Sequence, residues 1–372
     1  MTDDIAERTL AGLDRPRLAR PPFAERLLER LDAELMAPPA RSPFTTPLRM
    51  IGRIATLALV VVVALAIAGV IAAVRSGTGT ASATPPAGVS PDVFPVGDRP
   101  GAIAFGEGGL WIADIPSGQI TQLDPRSGAT LEKIATGGSA SYLAIGEGSV
   151  WVSDELANVV KRVDPRRQAV IATIPVTSGP YGIVVGGGSV WVTHLTGVVS
   201  RIDPVSNTVV ATIPLSGNGL AQRATFAAGS VWVTEAADSA IYRIDPASNI
   251  ALRIPAPPGS GPLGIAFGQG AIWVTNTDAN GSSSVSRIDP ATDQIVGSVA
   301  VGHGANGVVV DRGSVWVACQ QDDTIFQIDA TSLHLVGRPI AVGRGPAGLV
   351  VGERALWITL NGSGAVGRIA LP

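Results

Sequence analysis

The chain has almost no cysteine and no excess of positive charge. These two features argue against a disulfide-dependent fold and a nucleic acid partner. Cys319 is the only cysteine among 372 residues, so an intrachain disulfide is excluded, together with the small secreted folds that depend on one. The formal net charge is −3. We therefore expect no nucleic acid partner, because a site that neutralises phosphates needs a basic surface. The sequence also lacks a P-loop, a Rossmann fingerprint, zinc-finger spacing and a Ser-His-Asp nucleophile elbow.

Charged residues make up only 15% of the chain, and one long apolar run contributes to this low value. Residues 54–74 are uncharged throughout, with Thr56 as the polar exception. At ~1.5 Å of rise per residue, a helix of this length crosses the ~30 Å hydrocarbon core of a bilayer. A secretory signal peptide would have a shorter apolar core that lies nearer the N-terminus. We predict a single transmembrane helix within residues 51–75.

The arginines beside this run are unevenly distributed. Three precede it and one follows it closely: Arg41, Arg49 and Arg53, then Arg75. Because the cytoplasmic flank of a membrane span usually carries the excess of Lys and Arg, we expect residues 1–50 to be cytoplasmic. The chain after residue 75 is then extracytoplasmic, and the protein is a single-pass protein of the plasma membrane.

The segments on either side of the predicted span differ in character. Five apolar residues fall on one face of a short amphipathic helix predicted at residues 22–36: Phe23, Leu27, Leu28, Leu31 and Leu35. This helix is either a marginal element of a cytoplasmic tail or a docking element for another protein, and the sequence leaves both open. Residues 76–90 are small, polar and proline-containing, which predicts a flexible linker.

Residues 91–372 contain one motif repeated seven times. Every tryptophan lies in a copy of the type Gly148-Ser149-Val150-Trp151-Val152, at successive spacings of 40, 40, 41, 41, 43 and 41 residues. A copy holds four short apolar runs separated by turns, and 45 glycines and 28 prolines suit a fold with many turns. A repeat of this length with four strands is typical of a propeller blade. The sequence predicts an all-β, seven-bladed β-propeller that is monomeric.

Three structural expectations follow from the repeat. The tryptophans should pack between neighbouring blades. The aspartates of the Asp-Pro pairs, as in Asp164-Pro165, should accept backbone N–H groups at turns rather than bind a metal. The last copy stops at its third strand, so residues 91–97 should supply the missing outer strand and close the ring.

One position of the repeat changes from blade to blade. It lies three residues after each tryptophan, and its residues are Asp114, Asp154, His194, Glu235, Asn276, Cys319 and Leu360. We expect a ring of these side chains around one channel mouth, joined by residues that lead into the first strands: Arg99, Tyr142, Tyr181, Arg223, Asn306 and Arg344. The sequence leaves three interpretations of this ring open: a polar rim without a ligand, a ligand-binding surface, and a site for a metal or for acid–base catalysis. His194 and Glu235 are the candidates for metal binding or catalysis.

The repeats resemble a known group of bacterial propellers. Trp273-Val274-Thr275-Asn276, followed by Val285-Ser286-Arg287-Ile288-Asp289-Pro290, is similar to the 40-residue repeats of the YVTN and NHL type. These propellers are related to the streptogramin (virginiamycin B) lyase-like superfamily. The resemblance covers residues 91–372 and implies the fold, but one fold hosts unrelated activities.

The resemblance to the lyases implies what an enzymatic site would contain. Those enzymes use a magnesium ion, glutamates and a histidine to open a cyclic depsipeptide by elimination, and their repeats read Gly-Pro-His-Gly-Ile and Trp-Phe-Thr-Glu. The nearest equivalents here are Gly179-Pro180-Tyr181-Gly182-Ile183 and Trp232-Val233-Thr234-Glu235. Tyr181 replaces the histidine, and Glu235 is the only glutamate at its place. His303 lies three residues before the matching place.

We therefore expect a membrane-anchored propeller whose channel mouth recognises a small molecule, a glycan or a protein. It could act as a sensor that signals through the cytoplasmic helix. A membrane-tethered, metal-dependent lyase is the alternative, and Mg²⁺ is its implied cofactor. A purely structural scaffold is the third option.

Overall fold

The structure is a computed structural model, and it describes residues 91–217 and 219–371. These residues form seven four-stranded antiparallel sheets, and no α-helix occurs among them. The fold is the predicted all-β, seven-bladed propeller. The predicted cytoplasmic segment (1–50), transmembrane helix (51–75) and linker (76–90) lie outside the described residues. Within residues 91–217 and 219–371, no helix is long and apolar enough to span a membrane.

The first strand of the chain and the strands of blades 1 to 3 are as follows: β1 (Asp92–Pro95); β2 (Pro100–Gly106), β3 (Gly109–Asp114), β4 (Gln119–Leu123) and β5 (Thr130–Ala135); β6 (Tyr142–Gly146), β7 (Ser149–Asp154), β8 (Val159–Asp164) and β9 (Ala169–Pro175); β10 (Pro180–Gly186), β11 (Ser189–His194), β12 (Val198–Asp203) and β13 (Thr208–Pro214).

The strands of blades 4 to 7 are as follows: β14 (Ala221–Ala227), β15 (Ser230–Glu235), β16 (Ala240–Ile244) and β17 (Ala251–Pro255); β18 (Pro262–Gly268), β19 (Ala271–Thr277), β20 (Ser282–Asp289) and β21 (Gln294–His303); β22 (Ala305–Asp311), β23 (Ser314–Cys319), β24 (Thr324–Asp329) and β25 (Ile340–Ala341); β26 (Pro346–Gly352), β27 (Ala355–Leu360) and β28 (Ala365–Ala370).

The first strand of each blade is the innermost one. In blades 1 to 6 the order of strands in the sheet follows the chain, so each blade is an antiparallel meander. The first strands of neighbouring blades lie against one another around the whole ring, from β2 through β6, β10, β14, β18 and β22 to β26 and back to β2. These strands therefore line the central channel.

Strand β1 closes the ring, as the sequence predicts. It pairs antiparallel with β28, with Asp92 opposite Arg368 and Pro95 opposite Ala365. Blade 7 thus has the order β1-β28-β27-β26, in which its outer strand precedes blade 1 in the chain. The pairing covers residues 92–95, which is shorter than the predicted 91–97. β1 thereby covers the edge of β28, which would otherwise be unpaired at the junction.

The tryptophans pack between the blades, which confirms a second prediction. Six of them have no exposed surface, and Trp316 is 6% exposed. In blades 1 to 5 the indole Nε1 donates a hydrogen bond of 3.0–3.1 Å to the last carbonyl of the first strand. Truncation of such a buried ring to alanine costs about 3–5 kcal/mol. The repeated Gly-Ser-Val-Trp-Val run is therefore the packing centre of each blade.

An arginine stacks on the tryptophan in five blades, with 4.9–5.7 Å between the guanidinium carbon and the indole centroid: Arg162, Arg201, Arg243, Arg287 and Arg368. Arg162, Arg201 and Arg243 also donate hydrogen bonds to the next blade. Arg201 donates through Nε to Ser189 Oγ, and through Nη1 to Pro246 O and Asn249 Oδ1 in the next blade. We call this arrangement the arginine clamp. It explains why serine, tryptophan and arginine recur together in the repeat.

The aspartates that follow the third strands accept backbone N–H groups at turns, as predicted. Each accepts from the residue two positions ahead, at 2.7–3.1 Å: Asp124, Asp164, Asp203, Asp245, Asp289 and Asp329. Backbone hydrogen bonds at these turns lower the pKa of Asp124, Asp164, Asp203, Asp245 and Asp329. Turn chemistry accounts for this row of carboxylates.

A hydroxyl two residues after the tryptophan joins the inner strands of adjacent blades. Thr275 Oγ1 accepts a hydrogen bond of 2.7 Å from Gly264 N in its own blade and donates to Asn306 O of the next blade at 3.0 Å. The inner strands approach so closely that a Cβ on Gly264 would lie 2.0 Å from Asn306 O. Blade 5 therefore needs a glycine at this place, which we call the inner-strand glycine position.

Candidate functional site

The side chains three residues after the tryptophans are buried. None is more than 4% exposed: Asp114, Asp154, His194, Glu235, Asn276, Cys319 and Leu360. The sequence predicts a ring of these side chains at the channel mouth, but the structure places them in the interior, beneath the turns that follow the second strands. The reason is that a second strand is covered by its own blade and by its neighbours up to its last residue. A role for these side chains in ligand binding stays a prediction.

Two of these carboxylates hold the loops around them. Asp114 Oδ1 accepts a hydrogen bond of 2.7 Å from Arg99 N, at the start of the loop into β2. Glu235 accepts from Asp238 N at 2.8 Å and from Ala237 N at 3.2 Å, across the turn after β15. Burial raises the pKa of Glu235. Both residues have partners that a structural role fully explains.

Asp154 belongs to a buried ion pair. Its Oδ2 lies 2.6 Å from Lys161 Nζ, and neither side chain is more than 9% exposed. Lys161 also donates to Gly137 O, and Ala157 N donates to Asp154 Oδ1 at 3.0 Å. The pair therefore fastens the loop before β6 to the turn between β7 and β8.

His194, Asn276 and Cys319 are also part of the interior. His194 Nε2 lies 2.8 Å from Ser200 Oγ, and burial lowers the pKa of the imidazole to about 4. Asn276 Nδ2 donates to Ser286 Oγ at 3.0 Å. Burial raises the pKa of the Cys319 thiol to about 12. At neutral pH the imidazole is uncharged and the thiol is protonated, so neither of them acts as a charged group.

Four other predicted residues do meet at the channel mouth, and they come from four different blades. Tyr142 and Tyr181 stack with centroids 4.6 Å apart and hydroxyls 3.2 Å apart. The Arg223 guanidinium carbon lies 5.3 Å from the Tyr142 ring centroid. Arg223 Nη2 donates to Tyr142 Oη at 3.0 Å and to Asn306 Oδ1. We call these four residues the mouth cluster.

The inner strands explain how the cluster forms. Tyr181 and Asn306 are the second residues of β10 and β22, next to the inner-strand glycine position. Tyr142 and Arg223 occupy that position itself, since their backbone N–H groups donate to the hydroxyls of Ser153 and Thr234 at 3.1 Å. Blades 2 and 4 therefore carry large polar side chains where blades 3, 5, 6 and 7 have glycine and blade 1 has alanine. The departures from the repeat, and not the repeat itself, build the cluster.

The hydrogen bonds of the cluster have one direction. Arg223 donates to Tyr142, and Tyr142 donates to Tyr181, so the Tyr181 hydroxyl proton is directed toward a further acceptor. Tyr142 and burial together raise the pKa of Tyr181 well above its usual value. Tyr181 thus stays a neutral donor at physiological pH. A fixed positive charge and a phenol donor converge at the mouth, which favours an acceptor ligand.

Two residues near the mouth are not among the predicted site residues. Gln320 Oε1 accepts from Asn306 Nδ2 at 3.2 Å. Glu155, whose pKa is raised by burial and by Asp154, acts electrostatically on Tyr181. Both lie four residues after a tryptophan. The repeat spacing therefore locates them, one residue beyond the predicted ring.

The other predicted residues stay outside the mouth cluster. Arg99 and Arg344 are exposed. Asn276 is buried below its turn. His303 is exposed at the end of β21, where its Nδ1 lies 3.1 Å from Asp322 Oδ1.

The donor set at the mouth does not fit the magnesium ion that the resemblance implies. Mg²⁺ is bound through carboxylate and water oxygens in octahedral geometry. The cluster offers two phenols and an amide around a guanidinium, whose positive charge opposes a cation. Within residues 91–217 and 219–371, no three His, Cys, Asp or Glu side chains are grouped so that they could hold a metal.

Comparisons with known proteins agree with the fold. The crystal structure of virginiamycin B lyase from Staphylococcus aureus is 20% identical, with a TM-score of 0.67, over 76% of this chain and 100% of that chain. A streptogramin B lyase structure is 19% identical, with a TM-score of 0.68, over 76% and 97%. Hydrazine synthase from Kuenenia stuttgartiensis is 16% identical, with a TM-score of 0.66, over 79% and 98%. Curated protein sequences gave no match.

At these identities the structural likeness shows the fold alone, and it does not transfer an activity. The family assignment comes from the sequence model of the virginiamycin B lyase family, which matches residues 92–295 and 176–372. The two matches together extend over all seven blades. This chain therefore belongs to the virginiamycin B lyase family.

Proposed function

We propose that this chain is a membrane-anchored, extracytoplasmic recognition propeller that binds an anionic ligand at the channel mouth. The observation that carries the proposal is the mouth cluster, in which Arg223 contacts Tyr142 and Asn306 across the channel. A planar guanidinium pairs well with a carboxylate or a phosphate. The Tyr181 hydroxyl adds a neutral donor beside it.

Position and accessibility also support recognition. All four residues of the cluster are half-buried, so they are held in place and still reach solvent. They belong to blades 2, 3, 4 and 6, and rigid inner strands carry them. A site supported in this way needs little ordering when a ligand binds, which favours affinity.

The family match is the observation that favours the alternative, a membrane-tethered lyase. The donor set of the mouth argues against it, because the residues there do not suit Mg²⁺. The two functions differ in a simple measurement. Stabilisation of the full-length chain by several degrees in millimolar Mg²⁺ would support the lyase, whereas the recognition function predicts no change.

Thermal unfolding of the full-length chain with a panel of carboxylates, phosphates and acidic sugars tests the proposed ligand class. A ligand at a concentration of 100 Kd stabilises the protein by about 2.7 kcal/mol, which raises Tm by roughly 6 °C. We expect Arg223→Met to abolish this shift and Tyr181→Phe to reduce it. Arg166→Met, a change in an exposed turn arginine, is the matched control and should keep it.

The outcome that contradicts the proposal is equally specific. If the ligand raises the Tm of Arg223→Met as much as that of the unchanged protein, the mouth cluster is not the binding site. If no anion raises Tm at about 100 times a millimolar Kd, roughly 100 mM, the ligand is not an anion of these classes.

The membrane anchor rests on residues 54–74 and on the arginines before them. Protease treatment of intact cells tests it with epitope tags at either end of the chain. We expect loss of a C-terminal tag and protection of an N-terminal tag, with the protein in the membrane fraction after carbonate extraction. Protection of both tags would contradict the orientation.

A further inference from the structure

Both halves of the arginine clamp are missing from one junction, the one between blades 6 and 7. The clamp needs an arginine on one blade and an Asp-Pro turn on the next, as in Arg162, which donates to Pro204 O and Asn207 Oδ1. In blade 6, Gln327 replaces the arginine opposite Trp316. In blade 7, Ala370-Leu371 follows Ile369, where blades 1 to 5 continue with Asp-Pro and blade 6 with Asp329-Ala330. Both halves of the clamp are therefore absent at the same junction.

A cavity of about 90 Å³ lies where the clamp would be. It is lined by Asp311, Arg312, Ser314, Trp316, Gln327 and Leu371. Trp316 is correspondingly the one tryptophan with exposed surface, at 6%, whereas the six others have none. The volume is below the ~150 Å³ of a cavity that accommodates benzene, so the space suits a smaller planar group.

Blade 1 shows that a glutamine alone does not expose the tryptophan. Gln122 stands in the arginine place there, opposite Trp111. The next blade still has its Asp164-Pro165 turn, and Trp111 remains fully buried. The opening in blade 6 therefore depends on the second loss, the missing turn in blade 7.

The cavity has gained a carboxylate that the other blades lack. Asp311 ends β22, and the last residue of the first strand is glycine in five blades and alanine in blade 4. The Asp311 side chain is 28% exposed, and its partner is Arg312, with 3.7 Å between Oδ2 and Nε. The Arg312 side chain is itself 56% exposed, and an ion pair of this kind contributes only about 0–1 kcal/mol. A better-placed cation can displace it.

We infer that this cavity binds a guanidinium group, which takes the place of the arginine that blade 6 lacks. Trp316 offers its ring face, Asp311 offers a carboxylate, and Ser314 Oγ is the counterpart of the serine that accepts from the clamp arginine. Gln327 Nε2 now donates to Ser314 Oγ at 2.8 Å and reaches no further than that hydroxyl. A guanidinium fits better than an ammonium, because it is planar and stacks on aromatic faces.

The test uses the full-length chain labelled with 5-fluorotryptophan, in which Trp316→Phe identifies the Trp316 signal. L-Argininamide is the probe, and uncharged L-citrullinamide is its control. We expect a saturable shift of the Trp316 signal by argininamide at roughly millimolar concentration, with citrullinamide at least about tenfold weaker. Asp311→Asn should weaken binding by about three- to tenfold.

A filled cavity supplies the sharpest control. Gln327→Arg places the missing arginine on the chain itself and should abolish the argininamide shift. The same substitution in blade 1, Gln122→Arg, should leave the shift unchanged. No saturable shift of Trp316, or the same shift in Gln327→Arg, would overturn the inference. If Gln327→Arg fails to fold, an unchanged affinity in Asp311→Asn overturns it instead.

The guanidinium has two sources, and the same signal distinguishes them. A blocked Gly-Arg-Gly peptide that binds about tenfold more tightly than argininamide would indicate an arginine side chain of a partner protein. Equal affinities would indicate a free small guanidinium compound. Either result supports the site, and both are independent of ligand binding at the channel mouth.

Discussion

The ring-closing strand allows the most direct test of the fold, through two identical substitutions that differ in burial. Val96 follows β1 and is 3% exposed, whereas Val93 within β1 is 53% exposed. Val96 packs in one cluster with Leu110 of blade 1 and with Trp357 and Val366 of blade 7. Its side chain therefore joins the first blade to the last. Val93→Ala removes the same atoms from a surface that water already covers.

The expected magnitudes follow from these burials. Val96→Ala removes two buried methyl groups, which costs about 2 kcal/mol once the residual cavity is included. For a domain of this size that corresponds to a decrease in Tm of roughly 5 °C. Val93→Ala should change the free energy of unfolding by less than about 0.5 kcal/mol. Phe94 offers a second position, because its ring centroid lies 5.7 Å from that of Trp357. Its ring is half-buried, so Phe94→Ala should lower the free energy of unfolding by about 2 kcal/mol.

The assay is thermal unfolding of the full-length chain, followed by tryptophan fluorescence. Trp357 lies in the blade that β1 completes, so its environment reports on the closure directly. Deletion of residues 89–98 is the limiting case and should destabilise the propeller strongly, because it exposes the edge of β28. If Val96→Ala and Val93→Ala unfold at the same temperature, or if the deletion leaves Tm unchanged, β1 does not hold the ring closed.

Two further predictions concern buried charge. Burial lowers the pKa of His194 from 6.5 to about 4 in the folded state. Between these two pH values the unfolded state binds more protons than the folded state. The free energy of unfolding therefore decreases as the pH falls from 6.5 toward 4. In urea unfolding we expect the free energy of unfolding to decrease by about 2 kcal/mol at pH 5. His194→Gln should not show this decrease, and His303→Ala should retain it. Equal pH dependence in all three proteins would refute the prediction. Lys161→Met leaves Asp154 buried without its cation and should cost about 3–5 kcal/mol, whereas Asp154→Leu/Lys161→Met should be close to neutral in the same assay. A single variant as stable as the double one would show that the pair is not electrostatically coupled.

Family membership and site chemistry point in different directions in this chain. The fold is that of the virginiamycin B lyase family, and the sequence model matches every blade. The channel mouth, however, presents Arg223 at the centre of a hydrogen-bonded cluster. A blade scaffold tolerates such changes because its stability comes from contacts between blades, whereas the inner-strand residues at the mouth are free to vary.

The site was only partly predictable, and the reason lies in the packing of the blades. In most proteins the alternation of a strand separates an inner face from an outer one. Here both faces of a blade are covered, and every residue of β7, β11 and β15 is buried. The varying residue three positions after the tryptophan is therefore still interior. Exposure begins one residue later, at places such as Gln320, and the sequence period alone does not mark that boundary.

The repeat is sufficient to predict the number of blades, the burial of the tryptophans, the aspartate turns and the strand that closes the ring. These features depend on residues within one repeat or in adjacent repeats, so a regular spacing is enough to reveal them. Which departures from the repeat meet in space, in contrast, depends on how the closed ring arranges the blades. Arg223 and Asn306 are separated by 83 residues and by an intervening blade, and they come together because the ring is closed around one axis. The empty clamp between blades 6 and 7 has the same origin, since it needs a change in each of two neighbouring blades at one place in space.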